Sequence, residues 1–137
     1  MKLTRDQIMK KQAQTPDGWR YDWQYAVIHG EHTMTRRVDI DGTHFLEARL
    51  CYCAEKGANP WQTTGRQIPT LHVSRYQDKG SVYVSHGLGK WLTIGEPEKN
   101  KNYKALCKYA DGITDEMLME IYNADRNLLD EGRPLFA

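Results

Sequence analysis

Five side chains around one predicted turn carry the groups most able to do chemistry: His72, Ser74, Tyr76, Tyr83 and Ser85. Strands over 70–76 and 81–86, joined around Gln77-Asp78-Lys79-Gly80, would send all five to one face. An imidazole beside hydroxyls can shuttle protons, bind phosphate or hydrogen-bond a base, and tyrosines can stack on exposed bases. Leu71 and Val73 would fill the other face, near Val84 and Val82. A solvated sheet face would use the same residue types, because Ser and Tyr suit strands and turns.

His72-Val73-Ser74 resembles half of the paired His-x-Ser/Thr arrangement of two-histidine phosphoesterases. Those enzymes need two such tripeptides. His32 is followed by Thr33-Met34 and His86 by Gly87-Leu88, so no second copy with this pattern is present. Cys51, Cys53 and Cys107 with a histidine would suit zinc by ligand type, but the spacing is not that of a Cys-x-x-Cys knuckle. No metal and no cofactor are expected. Asp39, Asp41 and Glu47 offer carboxylates. Gly87-Leu88-Gly89-Lys90 lacks the length and the Lys-Ser/Thr ending of a phosphate loop and reads as a tight turn.

Aromatic and basic residues interleave at Trp19-Arg20-Tyr21, Arg75-Tyr76, Lys90-Trp91 and Tyr103-Lys104. Stacking aromatics beside bases serve single-strand binders. Trp, Tyr and Arg also dominate protein–protein hot spots. The binding candidates are therefore Arg20, Trp61, His72, Arg75, Tyr76, Tyr83, Lys90 and Trp91. The catalytic candidates are His72, Ser74, Tyr83 and Ser85.

These groups need elements to hold them. Thr4 with Gln7 three residues on is a capping box, which predicts a helix over 4–14 with Leu3, Ile8 and Met9 as its apolar face. Thr15-Pro16-Asp17-Gly18 ends it. Trp23, Tyr25 and Val27 alternate with polar or small residues, which predicts a strand over 22–29, turned at Gly30-Glu31. A second strand covers 32–40. Asp41-Gly42 then signals a two-residue type I′ hairpin that pairs Val38 with Phe45, Asp39 with His44 and Arg36 with Glu47. That register puts Asp39 and Glu47 on opposite faces. Residues 43–56 read as a strand, with Leu46, Ala48, Leu50, Tyr52 and Ala54 on one face; a helix is the rival reading. Residues 57–67 read as a long loop carrying Trp61, and Trp91–Ile94 as a last strand.

Beyond the 96–102 linker, Tyr103, Leu106, Cys107 and Ala110 recur at helical spacing up to Gly112. Thr114 caps a further helix striped by Met117, Leu118, Ile121, Ala124 and Leu128 and stopped by Gly132. The fold class that follows is α+β: an antiparallel β-meander of five to six strands, with a short N-terminal helix and two C-terminal helices on one side. Residues 1–137 are expected to form a single domain.

Composition narrows the function classes. With 39% hydrophobic and 27% charged residues the chain lies outside the disordered regime. The net charge of +1 disfavours purely electrostatic binding to nucleic acid or membrane. Seven acids and two bases fall within 111–137, which leaves the preceding residues mildly basic. Three cysteines give no disulfide framework, and the first residues have no apolar leader, so a cytoplasmic setting is expected. The resulting expectation is a small non-enzymatic binding protein for a protein or nucleoprotein partner. By analogy of size, it would be an inhibitor or accessory protein of phage or mobile-element type. The alternatives are a small hydrolase or phosphoesterase using His72 with Ser74, Tyr83 or Ser85, and a single-stranded nucleic-acid binder. A homodimer is a further expectation.

Overall fold

The computed structural model describes residues 3–29, 32–59, 61–126 and 129. The turn expected at Gly30-Glu31, the last stripe residue Leu128 and the stop at Gly132 lie outside them. Helix α1 (Arg5–Gln14) is set by its capping box: the Gln7 amide donates to the Thr4 hydroxyl at 3.2 Å, and the Thr4 amide to the Gln7 side chain at 2.9 Å. Its apolar face is narrower than expected. Leu3 and Ile8 pack on the core, while Met9 points to solvent.

Strand β1 is only Arg20–Tyr21, and helix α2 (Trp23–His29) follows at once. This overturns the strand expected over 22–29. The alternation of Trp23 and Tyr25 loses to Asp22, whose carboxylate accepts from the Tyr25 amide at 3.1 Å while its carbonyl accepts from Ala26. A side-chain acceptor at that position starts a helix.

The rest of the sheet is a meander of β2 (Thr33–Asp39), β3 (His44–Lys56), β4 (Thr63–Asp78) and β5 (Tyr83–Thr93). Its order is β1-β2-β3-β4-β5, with antiparallel neighbours throughout. Residues 44–56 are strand, so the rival helix is excluded.

The first hairpin is slipped by one residue from the expected register. Val38 faces Leu46, Asp39 faces Phe45, Arg37 faces Glu47, and Arg36 faces Ala48. The loop is Asp41-Gly42-Thr43, closed by the Ile40 amide on the His44 carbonyl. Gly42 is absent from the positive-φ glycines, so no type I′ turn forms. Instead the Asp41 carboxylate accepts from the Thr43 and His44 amides, each at 2.8 Å. An Asx-type turn has replaced the glycine-driven one. The slip brings Asp39 and Glu47 to the same face, and His44 meets Asp41 instead of Asp39.

The second hairpin turns near the expected place, with Gly80 at φ 87° and the Lys79 amide bonded to the Val82 carbonyl. Its strands are much longer than expected. Leu71 faces Leu92 and Val73 faces Lys90, in place of Val84 and Val82. The expected loop over 57–67 shrinks to 57–62, because β4 already begins at Thr63. Gly87-Leu88-Gly89 is a bulge inside β5, where those three residues oppose Ser74 alone.

One face of the sheet is the core. Met34, Leu46, Ala48, Leu50, Leu71 and Val73 pack against Tyr103, Leu106 and Ala110 of α3 (Tyr103–Asp111) and Leu118 and Tyr122 of α4 (Asp115–Ala124). The Asn102 and Thr114 side chains cap these helices by accepting from the Ala105 and Met117 amides. Met117 and Ala124 of the expected α4 stripe are exposed. The α+β meander with an N-terminal helix and two C-terminal helices is thus the observed fold. No helix among the described residues is long and apolar enough to cross a membrane.

Candidate functional site

Residues that pair across strands share a face. The face away from α3 and α4 carries Arg20, Thr35, Arg37 and Asp39, then Phe45, Glu47, Arg49 and Cys51 of β3. Thr70, His72, Ser74 and Tyr76 of β4 and Tyr83, Ser85 and Trp91 of β5 complete it. His72, Ser74, Tyr76, Tyr83, Ser85, Trp91 and Arg20 therefore come to one surface. Arg75 and Lys90 do not: they pair with Leu46 and Val73 on the core side. The Lys90 ammonium is tied there to Asp125 at 2.5 Å. Trp61, 81% exposed, stands in the connection after β3.

The centre of the open face is Arg49, whose residue is only 9% exposed. Its guanidinium lies 4.2 Å from the Tyr25 ring and 5.6 Å from the Trp91 ring. It also approaches His72 Nδ1 at 3.3 Å. Arginine carries no acceptor, so Nδ1 must offer its lone pair and the ring proton belongs on Nε2. The His72 ring stands 4.1 Å from Trp91. Burial, and then the Arg49 charge, hold the His72 pKa down at about 4. His72 is neutral at physiological pH.

Ser74 Oγ is 3.4 Å from both ring nitrogens of His72. An oxygen equidistant from both cannot lie along either lone pair. Gly89, at φ 75°, presses its backbone onto the same pair: a Cβ there would sit 2.6 Å from His72 Nε2 and 3.0 Å from Ser74 Oγ. A general base is usually oriented by a carboxylate that stabilises its cation. Here a guanidinium takes that place and the glycine backbone covers the other side. This chemistry favours a packed, neutral histidine over a proton shuttle.

A second arginine–aromatic group adjoins the first. Arg37 lies 3.9 Å over Phe45, which stacks on Tyr76 at 5.5 Å and meets Tyr83 edge-on at 5.2 Å. A hollow of about 320 Å³ opens between Arg20, Arg37, Phe45, Glu47 and Tyr83. Burial, and then the Asp22 charge, raise the Glu47 pKa, against the pull of Arg49, Arg20 and Arg37. Arg37 bonds Asp39 at 2.9 Å, and Arg20 lies 3.8 Å from Asp22.

Cys51 and Cys53 lie on the open face and Cys107 on α3, so the three thiols do not converge. Among the described residues, no group of three or more His, Cys, Asp or Glu is placed to hold a metal ion. The sequence reading named Glu47 among its carboxylates but missed Arg49, Tyr25 and Gly89 as parts of this site. The alternation that sends Leu46, Ala48 and Leu50 to the core sends Glu47 and Arg49 the other way, so that signal was present. No local signal marks Tyr25 once α2 replaces the expected strand. No family model, curated protein or solved structure matches this chain.

Proposed function

We propose that this chain is a non-enzymatic binding protein that engages a protein partner through the open face of its sheet. One observation carries the reading. Tyr83 and Trp91, 60% and 54% exposed, stand on that face beside arginines already packed on aromatic rings. Exposed Trp and Tyr with Arg is the composition of binding hot spots, and rings held by neighbours lose little entropy on docking.

Charge favours a protein over a nucleic acid. Arg20 and Arg37 already face Asp22 and Asp39, and Glu47 lies between them. A phosphate backbone needs unpaired cations in excess. The neutral, covered His72 favours binding over hydrolysis. The reading puts the protein in the cytoplasm, in keeping with three cysteines outside any disulfide. A phage-type inhibitor or accessory role remains its analogy of size.

The test is affinity capture from host lysate with and without nuclease, followed by titration of the purified partner. Tyr83→Ala/Trp91→Ala is compared with wild type after circular dichroism has confirmed its fold. A protein that survives nuclease, and whose affinity falls at least about tenfold in the double variant, supports the reading. Recovery abolished by nuclease, or equal affinity of variant and wild type, overturns it. Light scattering of the pure protein identifies a second copy of the chain as the partner.

A further inference from the structure

β5 is the last strand of the sheet, and among the described residues no strand lies on its other side. Hydrogen-bonded and open pairs alternate along an antiparallel ladder. The Ile94 amide donates to the Pro69 carbonyl at 3.1 Å, so the next pair, Thr70–Thr93, is an open one. Leu71–Leu92 is then bonded and His72–Trp91 open. The amides and carbonyls of Trp91 and Thr93 therefore point away from β4. Among the described residues no backbone group takes them up. A hollow of about 320 Å³ adjoins the same stretch on the core side of the sheet. Lys90 and Leu92 form one wall, and Met117, Ile121 and Ala124 of α4 the other. We propose, building on the partner-binding reading, that β5 accepts an extended segment of a partner protein along Lys90–Thr93, and that this segment sets an apolar side chain, flanked by a basic one, in the hollow.

Strand addition joins main-chain hydrogen bonds to pockets for alternate side chains. The open groups of Trp91 and Thr93 lie about 7 Å apart along the strand, the spacing at which another extended main chain presents its own. Side chains of an added strand alternate between the two faces. Those opposite Trp91 and Thr93 join the open face, and the one opposite Leu92 enters the hollow. One segment thus meets both the exposed Trp91 ring and α4.

Charge sets what flanks the apolar side chain. α4 holds Asp115, Glu116 and Glu120 and no base. Arg36 takes Asp115, whereas among the described residues no base pairs with Glu120, which borders the hollow. A basic side chain on the added strand meets that carboxylate. A second copy of this chain would bring the same acids against these, so the occupant is a different protein. The bulge at 87–89 interrupts the edge, which confines pairing to 90–93 and opposes open-ended stacking of copies.

The probe is the peptide acetyl-Thr-Val-Thr-Leu-Thr-Lys-Thr-amide, titrated into the isotope-labelled full chain at low salt and followed by backbone amide shifts. Shifts should concentrate at Lys90–Thr93 and on α4. The amides of the two threonines beside the leucine face β5, while the leucine amide faces solvent. N-methylation of those threonines should weaken binding at least about tenfold, and N-methylation of the leucine less than about threefold. Glutamate in place of the peptide's lysine should weaken it about threefold. Thr93→Pro removes one outward amide without breaking a bond to β4, and Ala124→Trp fills the hollow from an exposed position. Each should lose affinity at least about tenfold with an unchanged circular dichroism spectrum. The peptide should also displace the partner recovered from lysate. Four results overturn the proposal: no saturable shift at 90–93 up to about 10 mM peptide, equal weakening by the two methylation patterns, a captured partner indifferent to saturating peptide, or a homodimer that the peptide dissociates. The first two use the wild-type protein alone, so they stand even where a variant fails to fold. They also leave the dependence of capture on Tyr83 and Trp91 untouched, so strand addition can fail while the partner-binding reading stands. Failure to capture any protein, with the peptide still bound at 90–93, defeats that reading alone.

Discussion

Gly89→Ala should be among the most damaging single-methyl additions on the open face, and its effect can be worked from the geometry. The residue sits at φ 75°, where an alanine costs about 1–2 kcal/mol. The added methyl would stand 2.6 Å from His72 Nε2, 3.0 Å from Ser74 Oγ and 3.1 Å from the Val73 carbonyl oxygen. The Val73 carbonyl is sheet backbone and cannot yield cheaply, so the imidazole must. Turning it out gives up the Trp91 contact, about 0.5–1.5 kcal/mol. It also gives up the Arg49 hydrogen bond, about 1 kcal/mol. Against this, alanine narrows the unfolded ensemble and returns about 0.4–1 kcal/mol. The net loss is about 1.5–4 kcal/mol. Gly80→Ala is the internal control: its φ is 87° and nothing lies within 4 Å of the new methyl, so it isolates the backbone term at about 1 kcal/mol or less. Urea unfolding followed by circular dichroism should place Gly89→Ala about 1.5–2.5 kcal/mol below Gly80→Ala, with unchanged m-values. If the two variants agree within about 0.5 kcal/mol, the close approach of β5 to His72 does not constrain the fold and the reasoning fails.

Two further perturbations probe the same face and a third the turn of the first hairpin. Glu47 has a folded pKa above its unfolded value, so it favours folding less as pH rises through that range; Glu47→Gln should raise the urea midpoint at pH 7 and gain nothing near pH 4. A midpoint at pH 7 that falls would show the carboxylate to be stabilising through its arginines. His72 has the opposite sense, with a folded pKa near 4 below an ordinary 6.5, so the unfolded chain binds the extra proton and stability drains away as pH falls from 6.5. His72→Gln should flatten the stability profile between pH 6.5 and 5, and an unaltered slope would reject the buried neutral imidazole. Asp41→Ala should destabilise the first hairpin while Asp41→Asn, which keeps the acceptor oxygen for the Thr43 and His44 amides, should retain most of the stability. Those hydrogen bonds hold the Asp41 pKa well below the carboxylate range, so the wild-type contribution persists at pH 7 and disappears only as pH falls through that lowered value. Equal urea midpoints for the alanine and asparagine variants would reject the Asx turn.

The features read correctly from the sequence are those decided within a few residues. The Thr4–Gln7 box, the Thr114 cap and the stop at Gly112 depend on neighbours three or four positions away, and each stands where expected. The misreadings arise where two local signals compete or a distant strand decides. At 22–29 an alternation suited to a strand met a good N-cap in Asp22, and the cap won. At 41–43 aspartate could turn the chain through its carboxylate or through Gly42, and the carboxylate option shifted every pair by one. At 87–89 two glycines looked like an ending, yet the pairing with β4 resumes beyond them at Lys90 and Trp91. The polar face of the second hairpin was legible from alternation because the register of β4 against β5 differs from the expected one by an even number of residues, which keeps both strands' polar residues on one side. Its meaning was not, because Arg49 and Tyr25 reach it from β3 and α2.

Why a mostly buried guanidinium should be tolerated at the centre of that face follows from what surrounds it. Leaving a charge in low dielectric is expensive unless other groups replace the water. Around Arg49 the replacement consists of two ring faces and the Nδ1 lone pair of His72. The lone pair is offered only by a neutral imidazole, so the arrangement requires the proton affinity of His72 to be low, and the nearby charge of Arg49 helps to make it so. Gly89 then closes the pair by allowing a backbone approach that a side chain would forbid. Arg49, His72 and Trp91 are successive partners across β3, β4 and β5. The row thereby fixes the inner face of Trp91 while its outer face stays open to solvent. Histidine, the residue most suggestive of catalysis in the sequence, is thus committed to solvating an arginine, and the aromatic side chain it steadies is the part left free to meet something else.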